Sequence, residues 1–417
     1  MQGEWTLSLD LVLRNARVVG DDADAPLRDI GIADGRIAAI ETSLPDGGES
    51  LDVEAGLVSG GLIETHIHLD KSRILDRSEP APDRGMDHMK RVSAVKPGFT
   101  VEDVYRRAGA SLETAIAHGC TTMRTHVEVD PNVGLKSVDA LEQLAKDYAW
   151  GIDLELCVFL QEGWTGVPEG DANLVATLER GATAIGGAPS YDEDGPGQIA
   201  RIFELAKEYD VDVDIHLDVG PNHDHLDIYQ VCELADKIGW GGRVAVGHGS
   251  KYSPMPPDKL RDLGKLMSDS GVTLTVLPAT DLFTVGRHQD HSVMRGVADG
   301  NALHAHGVNC CLSTNNILNP FTPFGDGSLM RIANMYANVA QRGTRDELTE
   351  CFAMMTDRPA SFLGRDDYGV AVGSAADLVV WDAESAADAV AINAEARYGF
   401  KAGRRTFTRS AVELHRP

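Results

Sequence analysis

His66 and His68 stand one residue apart in the run Gly61-Leu62-Ile63-Glu64-Thr65-His66-Ile67-His68-Leu69-Asp70-Lys71, whose first half is apolar and β-branched. Strand side chains alternate sides, so both imidazoles point to the same face. Two imidazoles on one rigid strand make half of a metal site, because nitrogen donors at fixed spacing suit a divalent ion such as zinc. Further polar residues close later apolar runs: His216 ends the run 211–217, His248 ends 244–248, and Asn315 follows 308–313. A lone histidine at such a place is more often a hydrogen-bonded core residue. Four at matching strand ends call for a common cause.

That cause is architectural. A helix is expected from Val101, capped by Thr100 and ended by Gly119, with Val104, Ala108, Leu112, Ala115 and Ile116 along one face. A strand follows directly, and the unit repeats. The apolar runs 62–68, 121–129, 154–160, 183–185, 211–217, 244–248, 272–277 and 308–313 make eight strands alternating with helices. This spacing predicts an α/β protein with a closed parallel (β/α)8 barrel of the TIM type, the open doubly wound sheet being the alternative built from the same units. In a barrel the C-terminal strand ends meet at one mouth; an open sheet would spread them apart.

Outside the repeat, 10–19 and 29–40 are alternating runs, the second broken by the hairpin signal Asp34-Gly35. The runs 376–381 and 397–408 look alike. The two chain ends are therefore expected to share a small β-sandwich domain (1–57 and 366–417) beside a barrel domain (58–365).

The chain has 417 residues, 43% of them hydrophobic, with 38 basic against 64 acidic residues and a formal charge of -26. A charge of that sign repels nucleic acid and anionic membranes. No signal peptide or membrane span is expected, and six cysteines without Cys-x-x-Cys spacing read as reduced core thiols of a cytoplasmic protein.

The strand-end histidines, together with Arg124-Thr125-His126-Val127, Phe159-Leu160-Gln161-Glu162-Gly163 and Asn319-Pro320-Phe321-Thr322-Pro323-Phe324-Gly325, resemble the amidohydrolase superfamily. The resemblance is to its branch of cytosine deaminases and N-isopropylammelide amidohydrolases, and Lys71 after His-x-His-x-Asp favours the latter. It implies one divalent metal ion, zinc or iron, on His66, His68 and His216, with a bound water as nucleophile. It further implies that His248 orients that water or stabilises an oxyanion, that Gln161 reads a substrate amide edge, that Phe321 walls the pocket, and that the protein is a homo-oligomer. No lysine lies in 183–187, so a carbamate-bridged metal pair is not expected.

Two positions depart from the pattern. Asn315 stands where the relatives carry a metal-touching aspartate that takes the water's proton, and Val219 where cytosine deaminase carries a glutamate. An amide cannot accept a proton at neutral pH. His248, Lys71, Asp218 and Asp281 remain as proton carriers, with Asp281 also placed to contact substrate. The loops around His223 and His225 and at 287–291 read as solvated polar segments near the mouth, where Arg287 is able to meet a substrate carboxylate. The stretch 86–91 is a candidate for part of a lid.

The expected activity is hydrolysis of a C–N bond, by deamination or dealkylamination, on a small cytosine- or triazine-like N-heterocycle. The alternatives are opening of a cyclic amide, a different leaving group such as sulfide, or a ligand-binding homologue without turnover.

Overall fold

Leu62–Ile67, buried along its whole length, opens a sheet of eight parallel strands in sequence order. The computed structural model describes residues 8–22, 24–78 and 88–415. The later strands are Cys120–Glu128, Asp153–Phe159, Ala184–Ile185, Asp212–Leu217, Val244–His248, Val272–Val276 and Cys310–Leu312. Helices cover the outside, as the apolar stripe of Val101–Ala117 requires: Val104, Ala108, Leu112, Ala115 and Ile116 are buried, and the Thr100 side chain accepts from Asp103 N.

The barrel closes through the main chain of Asn315. Its N–H donates to His66 O at 3.0 Å and its carbonyl accepts from His68 N at 2.8 Å, forming an isolated parallel bridge with the first strand. Behind this stitch the fully buried Glu64 carboxylate accepts from Thr314 N at 3.0 Å and Thr314 Oγ1 at 2.7 Å. The last barrel strand is thereby tied to the first at the level of the histidines.

The second sheet is built from both ends of the chain, as expected. Its order is Arg404–Thr408, Ala396–Lys401, Leu378–Trp381, Leu57–Gly60, Leu11–Val18, Arg28–Ala33 and Arg36–Glu41, with Glu49–Asp52 also paired to Leu11–Val18. Leu13, Ile30, Ile32, Val58, Leu378, Val380 and Phe400 fill its core. Asp34 and Gly35 both have positive φ, 51° and 73°, the backbone that a tight hairpin needs. Leu57–Gly60 runs on into the barrel at Gly61, where a Cβ would lie 2.1 Å from Thr121 Oγ1, so only glycine lets the chain cross there. Among the described residues no helix is long and apolar enough to cross a membrane.

Candidate metal centre and active site

His66 and His68 leave the end of the first strand on one face and meet His216 from the fifth. His216 Nε2 lies 3.0 Å from His66 Nε2 and 2.9 Å from His68 Nε2. The other ring nitrogens decide what those contacts are. His66 Nδ1 is 3.1 Å from the Asp214 carboxylate, and His216 Nδ1 is 3.2 Å from Gly187 O. Both partners are acceptors, so Nδ1 carries the proton in each ring and each Nε2 presents a bare lone pair.

All three rings are held neutral. Burial, then the neighbouring His126, pushes His66 down to about 3. Burial first, and then Lys71 for His68 and His66 for His216, takes those two well below the ordinary value. Lone pairs 3.0 Å apart repel unless an electrophile lies between them. Neighbouring nitrogens on tetrahedral zinc stand roughly 3.3 Å apart. An oxygen joins these nitrogens: Asn315, which lines one cavity with His68 and His216, has its Oδ1 buried and without a hydrogen-bond partner among the described residues. Gly247 makes room for the cluster, because a Cβ there would fall 2.7 Å from His66 Cε1. The donor set therefore fits a divalent cation.

Above the cluster lies a cavity of about 290 Å³ lined by His68, Lys71, Gln161, His216, His248, Asn315 and Phe321, among others. His248 ends the sixth strand with a left-handed backbone, φ 77°, rare for a residue with a side chain. Its Nδ1 is 2.7 Å from Asp281 Oδ1. Burial pushes the Asp281 carboxyl up, opposed by His248. Lys71 Nζ donates to Glu128 Oε1 at 2.5 Å and to Gln161 Oε1 at 3.1 Å, and it sits 4.7 Å over the Phe321 ring.

The sequence profile of the amidohydrolase family matches residues 166–407. This chain belongs to the amidohydrolase family. It is 29% identical over 385 residues to the N-isopropylammelide isopropyl amidohydrolase of Pseudomonas sp. (strain ADP), covering 89% of this chain and 90% of that one. It is 25% identical to the pterin deaminase of Rhizobium rhizogenes, covering 85% and 82%. The crystal structure of 5-methylcytosine deaminase from Klebsiella pneumoniae with 5-fluorocytosine superposes with a TM-score of 0.90 at 27% identity, over 97% of this chain and 99% of that one. An amidohydrolase of this branch is a hydrolase of carbon–nitrogen bonds other than peptide bonds.

Some of the residues named from the sequence line the site of this amidohydrolase and others do not. Asp281, expected to contact substrate, does not line the cavity; it lies behind His248. Asp218 is spent on structure, accepting from Asp227 N, Ile228 N and Tyr252 OH. His225 is exposed and paired with Asp227, and Arg287 packs 4.3 Å from the Phe283 ring. Of the stretch 86–91, residues 86 and 87 lie outside the described residues, while His88 lines the cavity 6.1 Å from Phe321.

Other charged groups of the site escaped the sequence reading. Lys96 Nζ, fully buried, meets Glu128 at 2.5 Å, Asp130 at 3.0 Å and Glu162 at 2.7 Å. Burial alone would lower its pKa, but the three carboxylates raise it instead. Burial likewise works against Glu128, and Lys71 and Lys96 outweigh it and keep that carboxylate ionised. His126 and Asp214 lie against His66. The signal for the strand residues among these was period-two spacing, the one that singled out His66 and His68: His126 and Glu128 share a face of one strand, Asp130 continues the spacing just past its end, and Asp212, Asp214 and His216 alternate on another.

Proposed function

We propose that this amidohydrolase removes an exocyclic amine, free or alkylated, from a small N-heterocycle of the cytosine or triazine kind. His66, His68 and His216 would hold one divalent ion, zinc or iron. When bound, such an ion supplies Lewis acidity and brings the pKa of water toward neutrality. The remaining work falls to the chain's own residues.

Asn315 cannot take a proton, and Val219 leaves no carboxylate after the fifth strand. Asp218 is occupied, Asp281 is walled off, and Lys71 is bound to Glu128 as a cation. His248 is left. Its Nδ1–H donates to Asp281, so the tautomer is set and Nε2 faces the cavity as a base. His248 takes a proton from the attacking water there and returns it to the departing nitrogen. Gln161 has a fixed polarity: an ammonium has no acceptor, so Lys71 holds Oε1, and the amide N–H2 is what Gln161 offers to substrate. A ring carbonyl or unprotonated ring nitrogen belongs at that point, and Phe321 supplies an apolar wall.

The observation that carries this reading is the meeting of three buried histidine Nε2 atoms, those of His66 and His216 proton-free, beside a histidine backed by a buried aspartate. The test is a panel of amino- and alkylamino-triazines, aminopyrimidines and aminopterins, assayed for ammonia or alkylamine release by the zinc- or iron-loaded protein. Turnover that disappears in His68→Ala is the expected result. Saturable binding of a panel member without any release would favour the second reading, ligand capture without turnover, which the amide at 315 supports.

A further inference from the structure

Asp214 and His126 have no place among the three histidines or the cavity lining, yet both are fully buried against His66. The rings of His66 and His126 lie face against face at a tilt of 36°, with centroids 3.8 Å apart. His126 Nε2 lies 3.2 Å from the Asp214 carbonyl and 3.4 Å from its Oδ1, the same oxygen that meets His66 Nδ1 at 3.1 Å. His126 Nδ1 has no hydrogen-bond partner among the described residues. One tautomer accounts for all of this: Nε2–H donates into Asp214, and Nδ1 is a bare acceptor, which costs far less to bury unpaired than an N–H does. Asp214 thus receives an N–H from each side, and the tilted His126 ring packs against that of His66.

We propose that His126 and Asp214 are a positioning pair that locks the His66 ring and its tautomer with Nε2 toward the metal site, His126 acting through Asp214. The pair rests on the reading of His66 as a metal ligand. Outer partners of this kind typically set metal affinity by about 10–100-fold. His126→Phe keeps a flat ring against His66 and deletes the N–H; His126→Gln restores an N–H near the position of Nε2.

Zinc affinity is measured by chelator competition, metal content by elemental analysis, and the ligand field by the visible spectrum of the cobalt-loaded protein, with melting temperature as the check on folding. Expected are one zinc per chain, binding weakened about 10–100-fold with an altered cobalt spectrum in His126→Phe, and affinity within about threefold of wild type in His126→Gln. If His126→Phe does not fold, Asp214→Asn carries the test with the same expected weakening. Wild-type affinity in the folded His126→Phe or Asp214→Asn protein overturns the proposal. So does a wild-type content of two zinc ions falling to one in His126→Phe, because the atoms of His66, His126 and Asp214 are close enough to hold an ion themselves. A wild-type protein that takes up neither zinc nor iron overturns the reading of the whole centre, a result distinct from the other two.

Discussion

Asp281→Asn is the sharpest perturbation of the proposed base. Asp281 is fully buried, touches the site through His248 Nδ1 at 2.7 Å, and leaves its second oxygen without a partner among the described residues. The amide has two ways to sit. With its oxygen toward Nδ1 the tautomer survives, but the negative charge that stabilises an imidazolium is gone. With its nitrogen toward Nδ1 the proton moves to Nε2, and the base is lost outright. General-base catalysis contributes about 10²- to 10⁴-fold in rate, so kcat is expected to fall by that factor, equivalent to about 2.7–5.5 kcal/mol of barrier. KM should stay within about threefold, because Asp281 is absent from the cavity wall. Folding stability should change by no more than about 1–3 kcal/mol, the cost of one imperfect buried hydrogen bond. The assay is steady-state kinetics on the best substrate of the heterocycle panel, with the melting temperature recorded alongside. An unchanged kcat, or a loss confined to KM, would refute the assignment of His248 as base.

Other consequences are as direct. Asn315→Asp places a carboxylate at the orphaned oxygen, and since aspartate tolerates the left-handed backbone at φ 60° as asparagine does, chelator competition should show zinc bound roughly tenfold or more tightly in an intact fold. Gly247→Ala drives a Cβ to 2.7 Å from His66 Cε1 and should weaken metal binding at least about tenfold while costing about 1–3 kcal/mol of stability; Gly343→Ala, with no atom of the described residues within 4 Å, is the silent control. Asp103, hydrogen-bonded first by Arg77 and then by Arg107, has its carboxyl held below the ordinary value. Its contribution is therefore complete above about pH 4 and disappears as pH falls toward the depressed pKa. Asp103→Asn should lower the urea midpoint at pH 7, and the gap from wild type should close on acidification.

The barrel was legible because each strand is an apolar run long enough to be seen and each run is followed by a helix. Even the two-residue strand Ala184–Ile185 was found within the run 183–185. The histidines were legible because alternation assigns a face. Partners across the barrel were not, since periodicity says which way a side chain points and nothing of what it meets. Asp281 and His248 lie 33 residues apart, and Lys71 reaches Glu128 over 57. Lys96 sits in a short loop helix with no period to read, so a cation gripped by three carboxylates left no mark in the sequence. The closing bridge at Asn315 is made by main-chain atoms, to which residue identity is blind.

That last bond has a consequence for how such a site can change over generations. Because the ring of strands is sealed by backbone at residue 315, an asparagine or an aspartate, both at ease with the left-handed backbone there, is a passenger as far as architecture is concerned. Acid and amide are interchangeable fittings in a fixed socket, and one codon suffices to alter the charge beside the proposed metal centre while every strand stays in place.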